Sequence, residues 1–289
     1  MDASLTLAVP FKSFIDNILF IYLGFFMIKK VAEPRFIALG SRLCGVPEVR
    51  TLGVRPNFLD YPPAERALIL RAPLVLYPTN NYARFLNTMG RPIFPSLETH
   101  LYADEKILQT TLFQMLGLPH PRTRIYYHLH HGDILKDFSF PFVAKLPRSS
   151  SRGRGVYLVE DEEGLAAYLA KTSVAYIQEY LPHEKDLRVV MIRYEPVTAY
   201  WRRRASGTFK TNLSQGGQAD FRDLPRDAVE LAARCARACR FDDVGLDFIR
   251  RDGQWYLIEA NMKYGRKGMQ QQGLDLKQIL RKKLLHGEI

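Results

Sequence analysis

Residues 244–261, with the sequence VGLDFIRRDGQWYLIEAN, constrain the fold of this chain more than any other stretch. Two apolar runs flank the dipeptide Asp252-Gly253, which favours a tight turn between antiparallel strands. The pattern therefore predicts a β-hairpin within a sheet that contains antiparallel strands. Asp247 lies on the first predicted strand and Glu259 on the second, and a charge inside an apolar strand is costly unless something binds it.

Asp247 and Glu259 can bind the same cation only if their side chains share one face of the hairpin. Because side chains alternate along a strand, a two-residue turn at Asp252-Gly253 would place them on opposite faces. A loop with an odd number of residues, or a β-bulge, would place them on the same face, together with Asn261. Two carboxylates and an amide oxygen suit a hard cation such as Mg²⁺, although carboxylates on a hairpin are often merely solvated.

The composition is that of a globular protein with a basic surface. Of 289 residues, 47% are hydrophobic and 25% charged, which excludes a disordered chain and predicts two or three subdomains. The formal net charge is +11, with 41 Lys and Arg against 30 Asp and Glu. Such an excess suits nucleotide phosphates, acidic peptides or nucleic acid, or is simply a basic surface.

The cysteines and histidines show no disulfide or metal pattern. Cys235 and Cys239 are four residues apart in a predicted helix, so we expect them to be small buried residues on one face, and Cys44 stands alone. An odd number of cysteines fits a reducing compartment, and we expect a cytoplasmic protein. The seven histidines, including HLHH at 128–131, lack the spacing of metal ligands.

An uninterrupted apolar segment, ILFIYLGFFMI, occupies residues 18–28. It is too short to cross a bilayer and has close charged neighbours, so we expect no membrane span. The preceding residues also lack the basic start of a signal peptide. A buried helix is the favoured interpretation, and an interfacial helix or one that forms a homo-oligomer is the alternative.

The remaining patterns predict strands and helices in mixed order. Short runs broken by prolines (RFIALG, ALILRAPLVLYPT and RPIFPS) predict strands of a small α/β unit in residues 1–98, with TNNYARFLNTMG as a helix. Further helices are predicted for ADEKILQTTLFQMLG, DEEGLAAYLAK, the cysteine-bearing segment and the last 15 residues. Strands are predicted for FPFVAKL, VYLV and VAYIQEYL, and two more for DLRVVMIRYEPVTAYWRRR. We therefore expect an α+β chain with largely antiparallel sheets.

Several basic residues lie where an anion could bind. Lys145 interrupts the apolar strand FPFVAKL, so it lies at an edge or points at an anion. The following PRSSSRGRG, which contains Ser151, Gly153 and Gly155, offers hydroxyl and backbone N–H groups that suit phosphates. It matches neither a Walker sequence nor a dinucleotide fingerprint and is also typical of a surface linker. Lys106, taken alone, is typical of a solvated lysine.

The run YWRRR, followed closely by FKTNL, joins three arginines to aromatic residues. It could bind RNA through phosphate contacts and stacking. It could equally stabilise the negative charge of a phosphorylated intermediate.

In their order and spacing, these segments resemble the ATP-grasp superfamily, and most closely its RimK-like branch of ATP-dependent glutamate ligases. The resemblance covers about residues 90–275. It rests on ADEKILQTTLFQMLGLPHPRT, PFVAKL with RGRGV, IQEYL with DLR, RRRASGTFKTNLSQGG, VGLDFIRRDG, and LIEANMKYG with GLDL. It implies two α+β subdomains that hold ATP between them, at 99–175 and 176–289, preceded by a smaller α/β domain at 1–98.

The resemblance also implies which residues bind ATP and metal. Lys106 and Lys145 would hold the phosphates from two sides, residues 179–181 would read adenine through their backbone, and Asp186 would lie near the ribose. The implied nucleotide ligands are Lys106, Lys145, Ser151, Gly153, Gly155, Gln178, Glu179, Tyr180, Leu181, Asp186, Lys210, Thr211 and Asn212. The implied ligands of one or two Mg²⁺ ions, with Mn²⁺ as an alternative, are Asp247, Glu259 and Asn261. Arg203 is the first choice for stabilising an acyl phosphate, and Arg202 the second.

The implied reaction joins a carboxylate to an amine through an acyl phosphate at the expense of ATP. The carboxylate would belong to a small molecule or a peptide, an amino acid such as glutamate is a candidate amine, and nucleic acid is not expected as a partner. Two alternatives stay open: an ATP-grasp kinase acting on a hydroxyl, and a nucleotide-regulated protein that binds nucleic acid.

The chain departs from the family pattern in two places. Its phosphate loop is rich in Ser and Arg where relatives usually carry an early glycine. After Asn261 it reads MKYG where relatives usually have a small residue, Pro and Gly. This second segment lies near the implied acceptor site, so the resemblance does not identify the acceptor.

Overall fold

Three β-sheets follow one another along the residues that the computed structural model describes, 35–147, 155–203 and 218–289. The predicted helix at 18–28 lies outside these ranges. Within them, no helix combines the length and apolar character needed to cross a bilayer.

The first sheet is parallel and has the strand order β2-β1-β3-β4, as expected for an α/β unit. Its strands are β1 (Phe36–Ala38), β2 (Val49–Thr51), β3 (Val75–Leu76) and β4 (Ile93–Phe94). The helices of this unit are α1 (Pro63–Arg71), α2 (Asn80–Thr88) and α3 (Leu97–Leu101), with short 3₁₀ helices at Ser41–Leu43 and Phe58–Asp60.

The strand predicted for ALILR was wrong, since these residues complete helix α1. Proline at the first helical position, Pro63, has a backbone angle suited to a helix and loses no hydrogen bond there. Only Val75 and Leu76 of the apolar run form a strand.

The second sheet is antiparallel and has the order β5-β8-β6-β7. Its strands are β5 (Thr123–Tyr127), β6 (Phe142–Lys145), β7 (Val156–Val159) and β8 (Val174–Glu179). Helix α4 (Lys106–Met115) precedes it, and a 3₁₀ helix (His128–Asp133), α5 (Ile134–Asp137) and α6 (Glu162–Leu169) lie between strands. Residue 175 falls inside β8, and the division of the chain at residues 98 and 175 stays a prediction.

The third sheet is antiparallel and has the order β11-β10-β9-β12-β13. Its strands are β9 (Lys185–Ile192), β10 (Glu195–Arg203), β11 (Gln218–Asp220), β12 (Asp243–Arg251) and β13 (Gln254–Asn261). Helix α7 (Arg226–Cys239) packs on one face, with both of its cysteines buried as expected. Helices α8 (Lys267–Gln271) and α9 (Leu276–Leu285) end the chain.

The two faces of the third sheet differ because side chains alternate along each strand. On β9, Leu187, Val189 and Met191 join the core under α7. On the opposite face, Val190 and Ile192 pack in one cluster with residues of the first sheet. The remaining part of that face carries charged residues, and we call it the charged face.

A β-bulge aligns the two carboxylates of the hairpin. Asp252 and Gly253 form a two-residue turn with φ angles of 49° and 80°. Phe248 pairs with Leu257, but Asp247 pairs with Glu259, so Ile258 is the extra residue on β13. Asp247 and Glu259 therefore share the charged face, and the predicted need for an odd loop or a bulge is confirmed.

We predict that Gly268→Ala lowers the free energy of unfolding by about 1–3 kcal/mol through overpacking. A Cβ atom at Gly268 would lie 2.3 Å from Cζ of Tyr200, whose ring is buried. The matched control is Gly265→Ala, since no atom lies within 4 Å of a Cβ at Gly265. Urea unfolding of both variants checks this, and equal stability of the two would contradict the packing of α8 on the sheet.

Candidate active site

Four buried charged side chains form a network on the charged face: Asp186 and Arg188 of β9, Arg202 of β10 and Asp247 of β12. Arg202 donates two hydrogen bonds of 2.6 Å to Asp186. Arg188 donates to both carboxylate oxygens of Asp247, at 2.6 Å from Nη2. Nη2 of Arg202 also lies 2.9 Å from Oδ2 of Asp247, which links the two pairs.

Strand register creates this network, because Asp186 lies opposite Arg202 and Arg188 opposite Asp247. Burial alone would raise the pKa of Asp247, but the charges of Arg188 and Arg202 outweigh burial and lower it. Asp247 is therefore ionised at neutral pH. Removal of one partner would leave a buried charge without compensation, which is strongly destabilising.

Two lysines approach the same face from other elements. Lys106, the first residue of α4, has its Nζ 3.4 Å from Oε1 of Glu259. Lys145 of β6 is buried, with Nζ 5.4 Å from the ring centre of Tyr176. Burial lowers the pKa of Lys145 to about 8, with a smaller contribution from the charge of Lys106. The nearby carboxylates of Glu259 and Asp247 oppose this lowering of the pKa, although within the described ranges neither forms an ion pair with Lys145.

Side chains of α4 and the residues after it cover the free edge of β13. Gln109 donates to the carbonyl of Ala260 at 2.9 Å and accepts from its N–H at 3.2 Å. The N–H of Leu257 donates to the carbonyl of Pro119 at 2.7 Å. These contacts fix α4 beside β13, which places Lys106 next to Glu259.

The predicted adenine segment begins where β8 ends. Gln178 is buried and donates to Thr123 at 2.9 Å, so its side chain has a structural role. Glu179 accepts from the N–H of Arg122 at 2.5 Å and donates its own N–H to the carbonyl of Arg122 at 2.9 Å. Tyr180 and Leu181 follow the strand, so their backbone groups leave the sheet ladder.

Gly155 closes the base of the predicted phosphate loop. Its φ of 78° favours glycine, and its carbonyl accepts from the N–H of Leu146 at 2.7 Å. Five predicted nucleotide ligands lie outside the described residues: Ser151, Gly153, Lys210, Thr211 and Asn212.

Arg202 and Arg203 point to opposite faces of β10 because they are neighbours on one strand. Arg202 belongs to the buried network, whereas the side chain of Arg203 is 48% exposed and lies 3.3 Å from Asp220. The geometry therefore favours Arg202, the second choice from the sequence, as the arginine of the charged face.

The three predicted metal ligands share this face and supply only oxygen donors. Asn261 pairs with Gly245 and accepts from the N–H of Lys263 at 3.1 Å through its side-chain oxygen. The described part of the chain holds no ready cluster of three His, Cys, Asp or Glu residues. Oδ2 of Asp247 faces both arginines, whereas Oδ1 accepts one hydrogen bond from Arg188 and keeps one lone pair that could bind a cation. Two carboxylates and one amide fit Mg²⁺.

Arg188 is a site residue that the sequence analysis does not assign, because the segment DLR alone does not identify its partner. The signal was present in the alternation of DLRVV, where Asp186 and Arg188 must share a face two residues apart. The partner of Arg188 is Asp247, which is distant in sequence, so only the sheet register reveals the pair.

The family model of the RimK-like ATP-grasp domain matches residues 103–284. The chain belongs to the RimK-like ATP-grasp family. Among curated relatives, coenzyme γ-F420-2:α-L-glutamate ligase from Methanococcus maripaludis is 30% identical over 202 residues, 66% of this chain and 70% of that protein. Ribosomal protein bS6–L-glutamate ligase from Escherichia coli is 27% identical over 183 residues, 60% of this chain and 61% of that protein.

Solved structures show the same fold. The ATP-grasp ligase PsnB, in a complex with a minimal precursor, Mg and ADP, superimposes with a TM-score of 0.55 at 16% identity, over 75% of this chain and 78% of that chain. The predicted α+β ATP-grasp fold and the RimK-like resemblance are confirmed. The relatives also confirm the class of ATP-dependent carbon–nitrogen ligases, and they do not favour the kinase or the nucleic-acid-binding alternative.

We predict that Lys145→Met stabilises the nucleotide-free protein at pH 7, because it removes a buried charge. Lys145 titrates at about 8 in the folded protein, against 10.5 ordinarily, so the unfolded chain binds more protons between these pH values. The free energy of unfolding of the unsubstituted protein should therefore rise with pH in this range. The amount by which Lys145→Met is more stable than the unsubstituted protein should shrink accordingly.

Urea unfolding at pH 7, 8.5 and 10 measures this difference. The exposed Lys171→Met is the control and should differ from the unsubstituted protein by the same amount at every pH. If Lys145→Met were more stable than the unsubstituted protein by the same amount at all three pH values, Lys145 would have an ordinary pKa.

Proposed function

We propose that this RimK-like ATP-grasp protein is a cytoplasmic ligase that forms an amide between a substrate carboxylate and the amine of L-glutamate, with Mg-ATP. One observation carries the proposal: a single sheet face gathers two carboxylates, an amide and a buried arginine network, with two lysines beside them. Such a set can bind a metal nucleotide and neutralise a transferring phosphoryl group.

The nucleotide would lie between the second and third sheets. Lys106 and Lys145 bind its phosphates, and the backbone of Tyr180 and Leu181 binds adenine. Gln178 and Glu179 hold that segment in place, and Asp186 borders the ribose while it orients Arg202. The set is completed by residues assigned from the sequence alone: Ser151, Gly153, Lys210, Thr211 and Asn212, with Gly155 at the base of the loop.

Asp247, Glu259 and Asn261 would hold one or two Mg²⁺ ions, or Mn²⁺ as an alternative. The metal supplies charge neutralisation on the phosphate oxygens. Lys106, beside Glu259, is positioned to bind a phosphate oxygen next to the metal ligands. Arg202 stabilises the negative charge of the acyl phosphate from within the network, and Arg203 is its exposed neighbour.

The reaction needs no nucleophilic side chain. The substrate carboxylate oxygen bonds to the γ-phosphorus, and the bond from that phosphorus to ADP breaks. The amine nitrogen then bonds to the acyl carbon, inorganic phosphate leaves, and the nitrogen loses a proton. Positioning and electrostatic stabilisation account for the site residues, which are Lys, Arg and metal ligands.

The relatives support glutamate as the amine. The two relatives described above are named as L-glutamate ligases, one acting on a coenzyme and one on a ribosomal protein. The carboxylate substrate would accordingly belong to a small molecule or a peptide.

A screen of acids and amines for ADP release with Mg-ATP tests this function directly. Hydroxylamine should replace the amine and trap the acyl phosphate as a hydroxamate, because a ligase activates a carboxylate and a kinase does not. Acid-dependent ADP release without any hydroxamate would instead identify a kinase.

Glu259→Gln should abolish ATP turnover and leave the fold intact. The substitution removes a carboxylate that is 37% exposed, so little core packing is lost. ADP release and the unfolding midpoint measure the two effects, with the exposed Glu163→Gln as control. Full activity in a well-folded Glu259→Gln protein would exclude Glu259 as a metal ligand.

Arg202→Lys should lower hydroxamate formation by about a hundredfold, while Arg203→Lys should change it less than about threefold. Lysine keeps the buried charge but loses the forked geometry that contacts Asp186 and Asp247 together. Equal losses in the two folded variants would contradict the assignment from strand alternation.

A further inference from the structure

His120 lies between helix α4 and strand β5, and its side chain contacts the hairpin of the third sheet. Nδ1 of His120 lies 2.6 Å from the carbonyl oxygen of Leu257 on β13. The N–H of Leu257 donates in the opposite direction, to the carbonyl of Pro119 at 2.7 Å. Residues 119–120 therefore bind both backbone polar groups of Leu257, as a residue of a neighbouring antiparallel strand would.

The imidazole of His120 is neutral and carries its proton on Nδ1. Burial lowers the pKa of His120 to about 4, although the hydrogen bond to Leu257 opposes this shift. The ring therefore has a single proton at pH 7. Because a carbonyl oxygen can only accept a hydrogen bond, that proton lies on Nδ1 and leaves Nε2 as an acceptor.

The surroundings of Nε2 supply the donor that this tautomer needs. Gln178 donates one hydrogen of its side-chain nitrogen to Thr123 at 2.9 Å, and the same nitrogen lies 3.3 Å from Nε2 of His120. The hydroxyl of Thr123 is also 3.3 Å from Nε2, but its hydrogen goes to the carbonyl of Pro121 at 2.8 Å. The second hydrogen of the Gln178 amide is therefore the one available to Nε2.

On the same side of the ring, a path of side chains leads to the lysine assigned to the phosphates. Oγ1 of Thr110 lies 3.5 Å from Nε2 of His120 and 2.7 Å from the hydroxyl of Tyr176. Tyr176 pairs with Lys145 across β8 and β6, and its ring centre lies 5.4 Å from Nζ of the lysine. One imidazole therefore links the strand of Glu259 to the side chains that pack against Lys145.

The carbonyl that His120 binds belongs to the peptide at which the β-bulge begins. Ile258 is the extra residue of β13, so the peptide between Leu257 and Ile258 departs from regular pairing with β12. The bulge is also what directs Glu259 to the charged face, beside Asp247. A donor that holds this carbonyl therefore fixes the backbone two residues before the predicted metal ligand.

We propose that His120 is a positioning residue for the ligase reaction: its Nδ1–H holds the Leu257 carbonyl and thereby keeps the bulge that directs Glu259 toward the metal. This inference rests on the proposed function, because it takes Glu259 as a metal ligand. His120 acts through the backbone of β13, and a metal ligand contributes fully only when its support holds it at the correct position.

Two substitutions separate the two nitrogens of the ring. His120→Asn places an amide N–H near the position of Nδ1, so it keeps a donor for Leu257. His120→Gln extends its amide to the position of Nε2, so it keeps an acceptor there and loses the donor at Nδ1. The two variants are matched in charge and in the amide group, and they differ in which of the two contacts survives.

The affinity for Mn²⁺ in saturating ADP, measured by water-proton relaxation, tests the proposal. His120→Gln should weaken Mn²⁺ binding about tenfold, the size expected when a partly buried carbonyl loses its hydrogen bond. His120→Asn should weaken it less than about threefold. The proposal is overturned if His120→Gln leaves the Mn²⁺ affinity unchanged, or if the two variants lose it equally.

Binding of a fluorescent ADP analogue in EDTA distinguishes positioning of the metal ligand from a general structural defect. His120→Gln should change this affinity less than about twofold, because its amide keeps the contacts toward Thr110 and Gln178. A defect of the whole fold would weaken binding of the nucleotide and of Mn²⁺ together, and that result would also overturn the proposal.

The unsubstituted protein offers a test that no variant can spoil by misfolding. ¹⁵N NMR of the histidine rings, with His120 assigned from its backbone, should show a proton on Nδ1 and none on Nε2 at pH 7. A proton on Nε2, or a charged ring at this pH, would overturn the inference alone. Failure of the unsubstituted protein to bind Mn²⁺ with ADP would instead overturn the proposed function, and the inference with it.

Discussion

The ion pairs that join Asp186, Arg202, Asp247 and Arg188 are the interaction on which the site depends. Buried charges are tolerated only when they are paired and hydrogen-bonded, and here three adjacent strands must keep one register to pair them. The β-bulge at Ile258 extends that register to Glu259 on the fourth strand. The same contacts that hold the strands in register therefore also place the carboxylates that would bind metal.

The rest of the fold surrounds this network with the groups that ATP chemistry needs. Part of the same sheet face is apolar and packs on the first sheet, so the charged part is confined to one region. Helix α4 and strand β6 bring Lys106 and Lys145 to it, close enough for the carboxylates of Glu259 and Asp247 to act on the pKa of Lys145. Catalysis of acyl-phosphate formation then requires positioned charge and no nucleophile.

Local patterns in the sequence predicted much of this arrangement. The hairpin, the helices at 106 and 226, the strand of Lys145 and the family all followed from periodicity and motif order. Contacts between distant segments were beyond that reasoning, so Arg188 was not assigned to the site, because its partner lies on another strand. The preference for Arg203 over Arg202 could not be decided until strand alternation showed which one faces the network. Helix α1 was mistaken for a strand because short apolar runs fit both structures.

The central claim is that this sheet face binds a divalent metal together with a nucleotide. Electron paramagnetic resonance of Mn²⁺, titrated into the protein with and without ADP, measures it directly. The account predicts that ADP strengthens Mn²⁺ binding to the protein, because the carboxylates and the phosphates share the ion. The claim would be contradicted if ADP bound equally well in EDTA and in Mn²⁺ and left the affinity of the protein for Mn²⁺ unchanged.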